Sequence, residues 1–348
     1  MPTEDDFATD GGSDASSEDL DWRSVASEEE ISRGDRAAEF YQHSIKEPAL
    51  VAWADSRTRL GLVILSAYVL MALVDVFGLW RDASPNQSPD RLLAPFQSWQ
   101  FPLGTTQSGV DLLALIIDST PFILMMVLAG GVWATGLAVV VGTVSGYKGG
   151  RVDTVITSIS DFFMAIPGLP LVIVLAITLS PENPILLGVI LTINYWAGLG
   201  RSIRSQVLSI REESYVEASR TMGTGTFRII RTDVLPNIMP YVMINFVLAA
   251  RYTIFASVGL YFIGVLPYTG QNWGVTLNNA YNQGGLFTTE ALHWLLVPIV
   301  AIVGLAFGLI LLSQGMDRIF NPRVRTRFSG ESESIEEADD DATNTGLI

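Results

Sequence analysis

Six stretches of the chain run long without charge. Residues 60–80 carry one acid, Asp75, within LGLVILSAYVLMALVDVFGLW, and residues 119–147 carry none. Residues 162–181 follow Asp161, and 183–200 follow Glu182. Residues 238–264 contain Arg251 alone, and 291–316 have no charge apart from His293. The hydrocarbon core of a bilayer takes about 20 mostly apolar residues in helix. A helix also satisfies its own backbone where no water is present. The pattern therefore predicts an all-α polytopic membrane protein with six transmembrane helices. The first covers 55–81, a polar loop follows over 82–118, and a core over 119–320 holds the other five.

Finer features sit on this frame. The third run contains IPGLP at 166–170, where Pro167 and Pro170 interrupt helical hydrogen bonding. The second is crowded with Gly130, Gly131, Ala134, Gly136, Ala138 and Gly142, which lets helices approach closely; ordinary membrane-helix composition accounts for these residues equally well. The Gly- and Asn-rich segment 267–285 reads as re-entrant or interfacial. Between the fourth and fifth runs lies the polar stretch YVEASRTMGTGTFRIIRTDVLPN, 215–237. Tyr215, Ala218, Ser219 and Met222 fall at i, i+3, i+4 and i+7, on one helical face. Gly223 stands where a helix end favours positive φ. Thr224 or Thr226 is positioned to cap a second short helix with an apolar side of Phe227, Ile230 and Val234, and Pro236 closes the unit. Pattern alone also fits a helical hairpin that merely packs on its own bundle.

Charge gives the frame a direction. Of 348 residues 49% are hydrophobic and 16% charged, against about 25% charged in soluble proteins. Residues 1–47 hold 14 acids and 4 bases, and 329–348 hold 7 acids and no base, so the net charge of −15 belongs to the ends. These ends, 1–50 and 329–348, read as acidic disordered tails. The first 50 residues lack an apolar core, so no cleavable signal peptide is predicted. With the N-terminus inside, the inner segments carry 18 of the 21 Lys and Arg and the outer segments two. The positive-inside bias therefore places both termini and residues 205–237 in the cytoplasm, and 82–118 outside. Two lysines against 19 arginines, together with the acidic tails, fit a salt-loving organism, with ordinary disordered tails as the alternative.

Little chemistry is encoded in the chain itself. There is no cysteine, and the two histidines, His43 and His293, lie far apart. Lys46 precedes Glu47 and Lys148 precedes Gly149, so the G-K-[ST] core of a phosphate-binding P-loop is missing. No cofactor is expected in this chain. Charges inside a bilayer are costly and point to a role. Arg251 lies about 20 Å into its span at 1.5 Å per residue. Asp75, Asn245 and Ser257 join it as candidate pathway residues, with Asp161 nearer an interface. Secondary transporters and channels form the rival class, and they call for inverted repeats and intramembrane ion carriers.

The stretch that opens at Tyr215 resembles the EAA loop of ABC importer permeases. It has Glu217, Ala218, Ser219, then Gly223, then Leu235-Pro236-Asn237. FPLGTTQSGVD (101–111), GYKGGRVDTVI (146–156), DFFMAIPGLPL (161–171), VLSIREESYVEASRTMG (207–223) and NWG (272–274) extend the resemblance to the oligopeptide/dipeptide and nickel subfamily, C-type subunit, in a haloarchaeal version. It implies a type I permease fold in which Tyr215, Glu217, Ala218, Ser219, Met222 and Gly223 form an ATPase-coupling helix. It also implies a heterodimer with a homologous permease, two partner ATPase subunits or domains that bind ATP and Mg²⁺, and an extracytoplasmic solute-binding protein. Lipid is the surroundings, and no nucleic acid is involved. Peptides are the first expected solute, with oligosaccharides and nickel as alternatives. The chain departs from the family pattern at Thr106 and Val110, where an acid and a base are usual, at Ser257, where an acid is common, and at Arg251, where glycine is usual.

Overall fold

A computed structural model describes residues 53, 55–266 and 272–319, all within the unit spanning 50–348. The expected tails at 1–50 and 329–348 lie outside the described residues, as does 267–271 of the expected re-entrant segment. The described residues are helical except for loops and one isolated bridge, Thr105 to Asp111.

The first helix, α1 (Ser56–Val76), is capped by Asp55, whose carboxylate accepts from the Thr58 backbone N–H at 3.0 Å. The second, α2 (Leu112–Lys148), begins seven residues before the uncharged run and is about 55 Å long at 1.5 Å per residue. Asp118, which the charge pattern assigns to the loop, therefore lies in its second turn, where it accepts the Ala83 N–H at 2.6 Å. Asp111 caps α2 through the Leu113 N–H at 2.9 Å and pairs with Arg81 at 3.1 Å. Burial pushes the Asp111 carboxyl up, against the pull of the Leu113 N–H and the Arg81 charge.

The third and fourth runs are not straight spans. Helices α3 (Gly150–Ala165) and α4 (Gly168–Leu179) meet at 80°, because Pro167 has no N–H to continue the ladder. Helices α5 (Pro184–Leu191) and α6 (Tyr195–Ile210) meet at 61° without any proline. At that break the Thr192 hydroxyl donates to Gly188 O at 2.9 Å and Gly130 O at 3.2 Å. The two breaks touch, since a Cβ on Gly168 would lie 2.8 Å from Asn194 Nδ2. Ion pairs join the two broken spans further along: Arg204 grips Asp153 with two bonds of 2.6 Å, and Arg201 pairs with Asp161.

After the short helices α7 (Ser214–Thr221) and α8 (Thr226–Ile229) come α9 (Leu235–Phe262), α10 (Trp273–Asn282) and α11 (Leu292–Ile319). Four helical stretches are each long and apolar enough to cross a bilayer, and the two bent pairs bring the number to six.

The bundle closes around α2 at positions that lack side chains. A methyl added at Gly188 of α5 would collide with the Met126 carbonyl, and one at Gly142 would sit 2.7 Å from both Gly200 O and Ile203 Cβ of α6. A methyl at Gly130 would lie 2.6 Å from Thr253 Oγ1 of α9 and 3.0 Å from Gly188 O. Small residues thus act here as packing surfaces. Helix α1 sits at the periphery against α11, with Tyr68 donating to Ala301 O at 2.6 Å and Gly308 receiving Ile64. Gly188→Ala should lower the melting temperature of the purified protein, at a cost of about 1–3 kcal/mol for overpacking. Gly136→Ala, with nothing within 4 Å of the added carbon, should be neutral or mildly stabilising. Equal melting temperatures for the two variants would refute the close approach of α2 and α5.

Candidate coupling surface

The segment 210–237 is held to the bundle by three apolar side chains. Val216, Ile229 and Val234 are fully or almost fully buried, in one cluster with Ala138 of α2, Ile203 and Val207 of α6, and Ile238 of α9. The expected anchor of the second short helix is therefore shifted. Ile229 points inward, Phe227 is 78% exposed and Ile230 is half-buried. The expected cap is also different, for Gly225 occupies the N-cap and makes no side-chain bond. The turn needs no hydroxyl because backbone bonds and the buried isoleucine already fix it.

The elbow after α7 is fully bonded. Gly223 has φ +78°, its N–H donates to Arg220 O at 3.0 Å, and the Thr224 N–H donates to Ser219 O at 3.1 Å. These paired bonds satisfy two of the last helical carbonyls in a Schellman arrangement. A Cβ at 223 would meet nothing within 4 Å, so only the backbone angle demands glycine there.

With the inner side anchored, α7 presents Tyr215, Ala218, Met222 and part of Ser219 outward, the face that the spacing predicts. Met222 is 77% exposed, and Phe227 beyond the elbow extends this apolar surface. The Tyr215 hydroxyl accepts from Asn237 Nδ2 at 3.1 Å, which ties the first turn of α7 to the base of α9. Partial burial and the carboxylates of Glu213 and Asp233 hold that hydroxyl above the usual tyrosine range, so it stays protonated and neutral.

Glu217 and Arg220 are neighbours in sequence, yet no ion pair joins them. The Arg220 guanidinium instead lies over the Tyr147 ring, 5.7 Å from its centre. Both side chains line a cleft of about 710 Å³ with Tyr147, Lys148, Arg211 and Glu212. Arg211 Nη1 also donates to Gly146 O at 3.0 Å, satisfying a carbonyl at the end of α2. Tyr147 and Arg211 belong to this surface, and the sequence pattern missed them; Phe227, which the pattern turned inward, joins them. The GYKGG stretch was the one local signal for Tyr147.

The second short helix does not end at Pro236. Helix α8 passes through a π turn, Ile230–Val234, directly into α9, making one helical run from Thr226 to Phe262. Pro236 cannot donate to Thr232 O, and the turn before it widens so that the Leu235 N–H reaches Ile230 O. The loop is thus an extension of a span, where the sequence suggests a separate unit.

The four candidate pathway residues do not converge. Asn245, Arg251 and Ser257 lie six residues apart, and at about 100° per residue each points 120° from the others. Ser257 is buried and bonds to its own helix at Ile254 O, and Asn245 Nδ2 bonds to Tyr241 O. Asp75 neighbours Asp118 of α2 and does not pair with Arg251. Arg251 is half-buried beside Tyr195 and Tyr252 and makes no ion pair with a described residue. His293 is buried, with Nε2 donating to Thr105 O at 3.0 Å, which makes it a tie between α11 and the 81–111 loop.

Comparison with known proteins agrees with this architecture. The model of the family described as "Binding-protein-dependent transport system inner membrane component" matches residues 138–326, from the middle of α2 through α11. The dipeptide transport system permease protein DppC of Bacillus subtilis is 30% identical over 295 residues, 81% of this chain and 89% of that protein. The oligopeptide transport system permease protein OppC of the same organism is 26% identical over 291 residues, covering 81% and 93%. The nickel transport system permease protein NikC of Escherichia coli is 30% identical over 226 residues, covering 64% and 79%. The chain is a multi-pass membrane protein that belongs to the family of binding-protein-dependent transport system inner membrane components.

Proposed function

We propose that this protein is one of two membrane-spanning subunits of an ATP-driven ABC importer, driven through α7. The observation that carries this reading is the unbroken path from the exposed face of α7, across a rigid elbow, into α9. A force applied to Ala218, Ser219 and Met222 reaches the bundle through Val216 and the Tyr215–Asn237 bond. It continues along the helical run 226–262 to the membrane-embedded Arg251. The distribution of Lys and Arg supports a cytoplasmic position for this end of the bundle. ATP and Mg²⁺ belong to the two partner ATPases, and Glu217 is free to meet a basic group on one of them. A homologous permease completes the pathway, and an extracytoplasmic binding protein delivers the solute.

The names of the relatives favour a peptide as solute, with nickel as an alternative. Oligosaccharides are a further alternative, carried by the same machinery. Arg251 is the pathway residue of this reading. It is a charge within a span, and lipid exposure at such a depth costs at least about 2.5–3.5 kcal/mol. A position facing a water-filled passage avoids that cost.

Two experiments test this function. Gly223→Val forces a β-branched residue to positive φ, and the left-handed conformation alone costs about 1–2 kcal/mol. That corresponds to roughly a five- to thirtyfold loss in docking. Ala218→Trp obstructs the small face directly. Both variants should insert and pair with the sister permease, yet copurify with far less ATPase and take up little solute. Gly223→Asn, which tolerates the left-handed region, should recover most of the binding. Wild-type ATPase content and uptake in both Gly223→Val and Ala218→Trp would make the segment a mere connector. For the pathway, Arg251→Leu should insert normally and change the solute concentration at half-maximal uptake. Unchanged uptake kinetics would remove Arg251 from the pathway.

A further inference from the structure

Helix α9 is divided lengthwise. Val247, Ala250, Ile254 and Ser257 are buried on one side. At about 100° per residue, Tyr241, Asn245, Leu248, Arg251, Tyr252 and Phe255 fall within about 120° on the other, and none of them is buried. This open side is unlike those of the other spans. Helix α1 turns out Leu70, Leu73 and Val76, helix α4 Val174 and Ile177, and helix α11 Val300, Val303 and Phe307. Those faces suit lipid tails, which are as apolar as leucine. The open side of α9 instead carries a permanent positive charge half-way along the run 238–264.

That charge has no counter-charge among the described residues. Ionisable groups within a bilayer almost always pair with one another or face water. Arg251 forms no ion pair with a described residue. The acids in or beside the spans are committed elsewhere: Asp153 to Arg204, Asp161 to Arg201, and Asp75 to its place beside Asp118. Tyr195, the first residue of α6 after the bend, is close enough to feel the Arg251 charge. Its ring lies against Tyr252, with centres 5.2 Å apart. Neither phenol hydroxyl bonds to a described residue. Two unused donors thus accompany the guanidinium.

The chemistry of the partner follows from charge. A guanidinium withdrawn from bulk water is stabilised by an anion, and its planar fork matches a carboxylate. The phenols donate hydrogen bonds and add no charge, so a single monoanion balances the set. A phosphate group carries close to two negative charges at neutral pH and would leave an excess. A bare divalent cation would meet a like charge.

Resting on the reading of Arg251 as a pathway residue, we propose that Arg251, Tyr195 and Tyr252 form a carboxylate subsite in the passage. The carboxylate accepts from the guanidinium and from both phenol hydroxyls. The subsite selects anionic solutes over neutral ones of the same size.

Arginine labelling of the assembled transport complex, in lipid nanodiscs, tests this. p-Hydroxyphenylglyoxal modifies guanidinium groups that water reaches, and peptide mass spectrometry reads its extent at residue 251. The probes are N-acetylalanine, a monoanion at neutral pH, and N-acetylalaninamide, its neutral counterpart. Arg251 should be labelled, and N-acetylalanine should protect it saturably. The amide should need at least about tenfold more for equal protection. At the exposed Arg151 neither probe should matter. Tyr195→Phe and Tyr252→Phe keep the ring contact and delete one donor each. Each should raise the half-protecting concentration of N-acetylalanine about three- to tenfold, with labelling in its absence unchanged. Where one variant melts early, the other decides. Absence of label at Arg251 overturns the proposal together with the pathway reading, as it would if an acid of the sister permease already covered the guanidinium. Labelling that neither probe prevents, or that both prevent equally, overturns the subsite alone and leaves the passage in place. Wild-type protection in normally melting phenylalanine variants does the same.

Discussion

The architecture depends on the approach of three helices to the backbone of α2. In lipid there is little hydrophobic gain from bringing two apolar helices together, so close van der Waals contact and shared hydrogen bonds must hold them. Gly188 lies against the Met126 carbonyl, Gly142 against Gly200 and Ile203, and Gly130 against Thr253. The Thr192 hydroxyl spans this joint, reaching carbonyls on both α5 and α2. An added methyl at these points meets backbone or the base of a neighbouring side chain. Such a joint has few alternative arrangements, and the bend between α5 and α6 is fixed by it.

The candidate coupling surface inherits its position from that joint. Val216 enters a cluster that includes Ala138, Ile203 and Val207, which belong to α2 and α6 close to their glycine contact. With the inner side of α7 committed, Tyr215, Ala218 and Met222 are among the residues left outward, and Phe227 extends them. The π turn then joins this surface to α9 without a flexible break. The Asp153–Arg204 and Asp161–Arg201 pairs brace α3 against α6, so the bent spans flank the lever as a connected frame.

The two ends of the bundle differ in chemistry. The α7 end mixes exposed apolar side chains with Lys148, Arg211, Glu212, Glu217 and Arg220, suited to a protein partner with charges of its own. At the other end Arg81 and Asp111 are paired in the 81–111 loop, and a cavity beside α10, lined by Thr106, Asn272, Thr276 and Trp294, has no charged side chain among the described residues of its wall.

The linear sequence determined what depends on local composition and spacing. Long uncharged runs determined the helical membrane class, because a span must be apolar along its whole length. The i, i+3, i+4, i+7 spacing determined which residues share a face of α7, and glycine at 223 determined the elbow, because only backbone geometry acts there. The proline break at 167 was legible for the same reason. Tertiary structure decided the rest. The bend at Thr192 has no proline and arises from a hydroxyl reaching a neighbouring helix. Arg220 turned from Glu217, three residues away, to Tyr147, far away in sequence, because the end of α2 passes beneath it. Ile229 displaced Phe227 as the inward anchor because two residues separate them, about 200° around the helix, so only one can meet the cluster. Asn245, Arg251 and Ser257 looked like one set along the chain, and helical geometry separated them. Spacing along a chain fixes direction within one helix, whereas contact between helices requires knowing which faces meet.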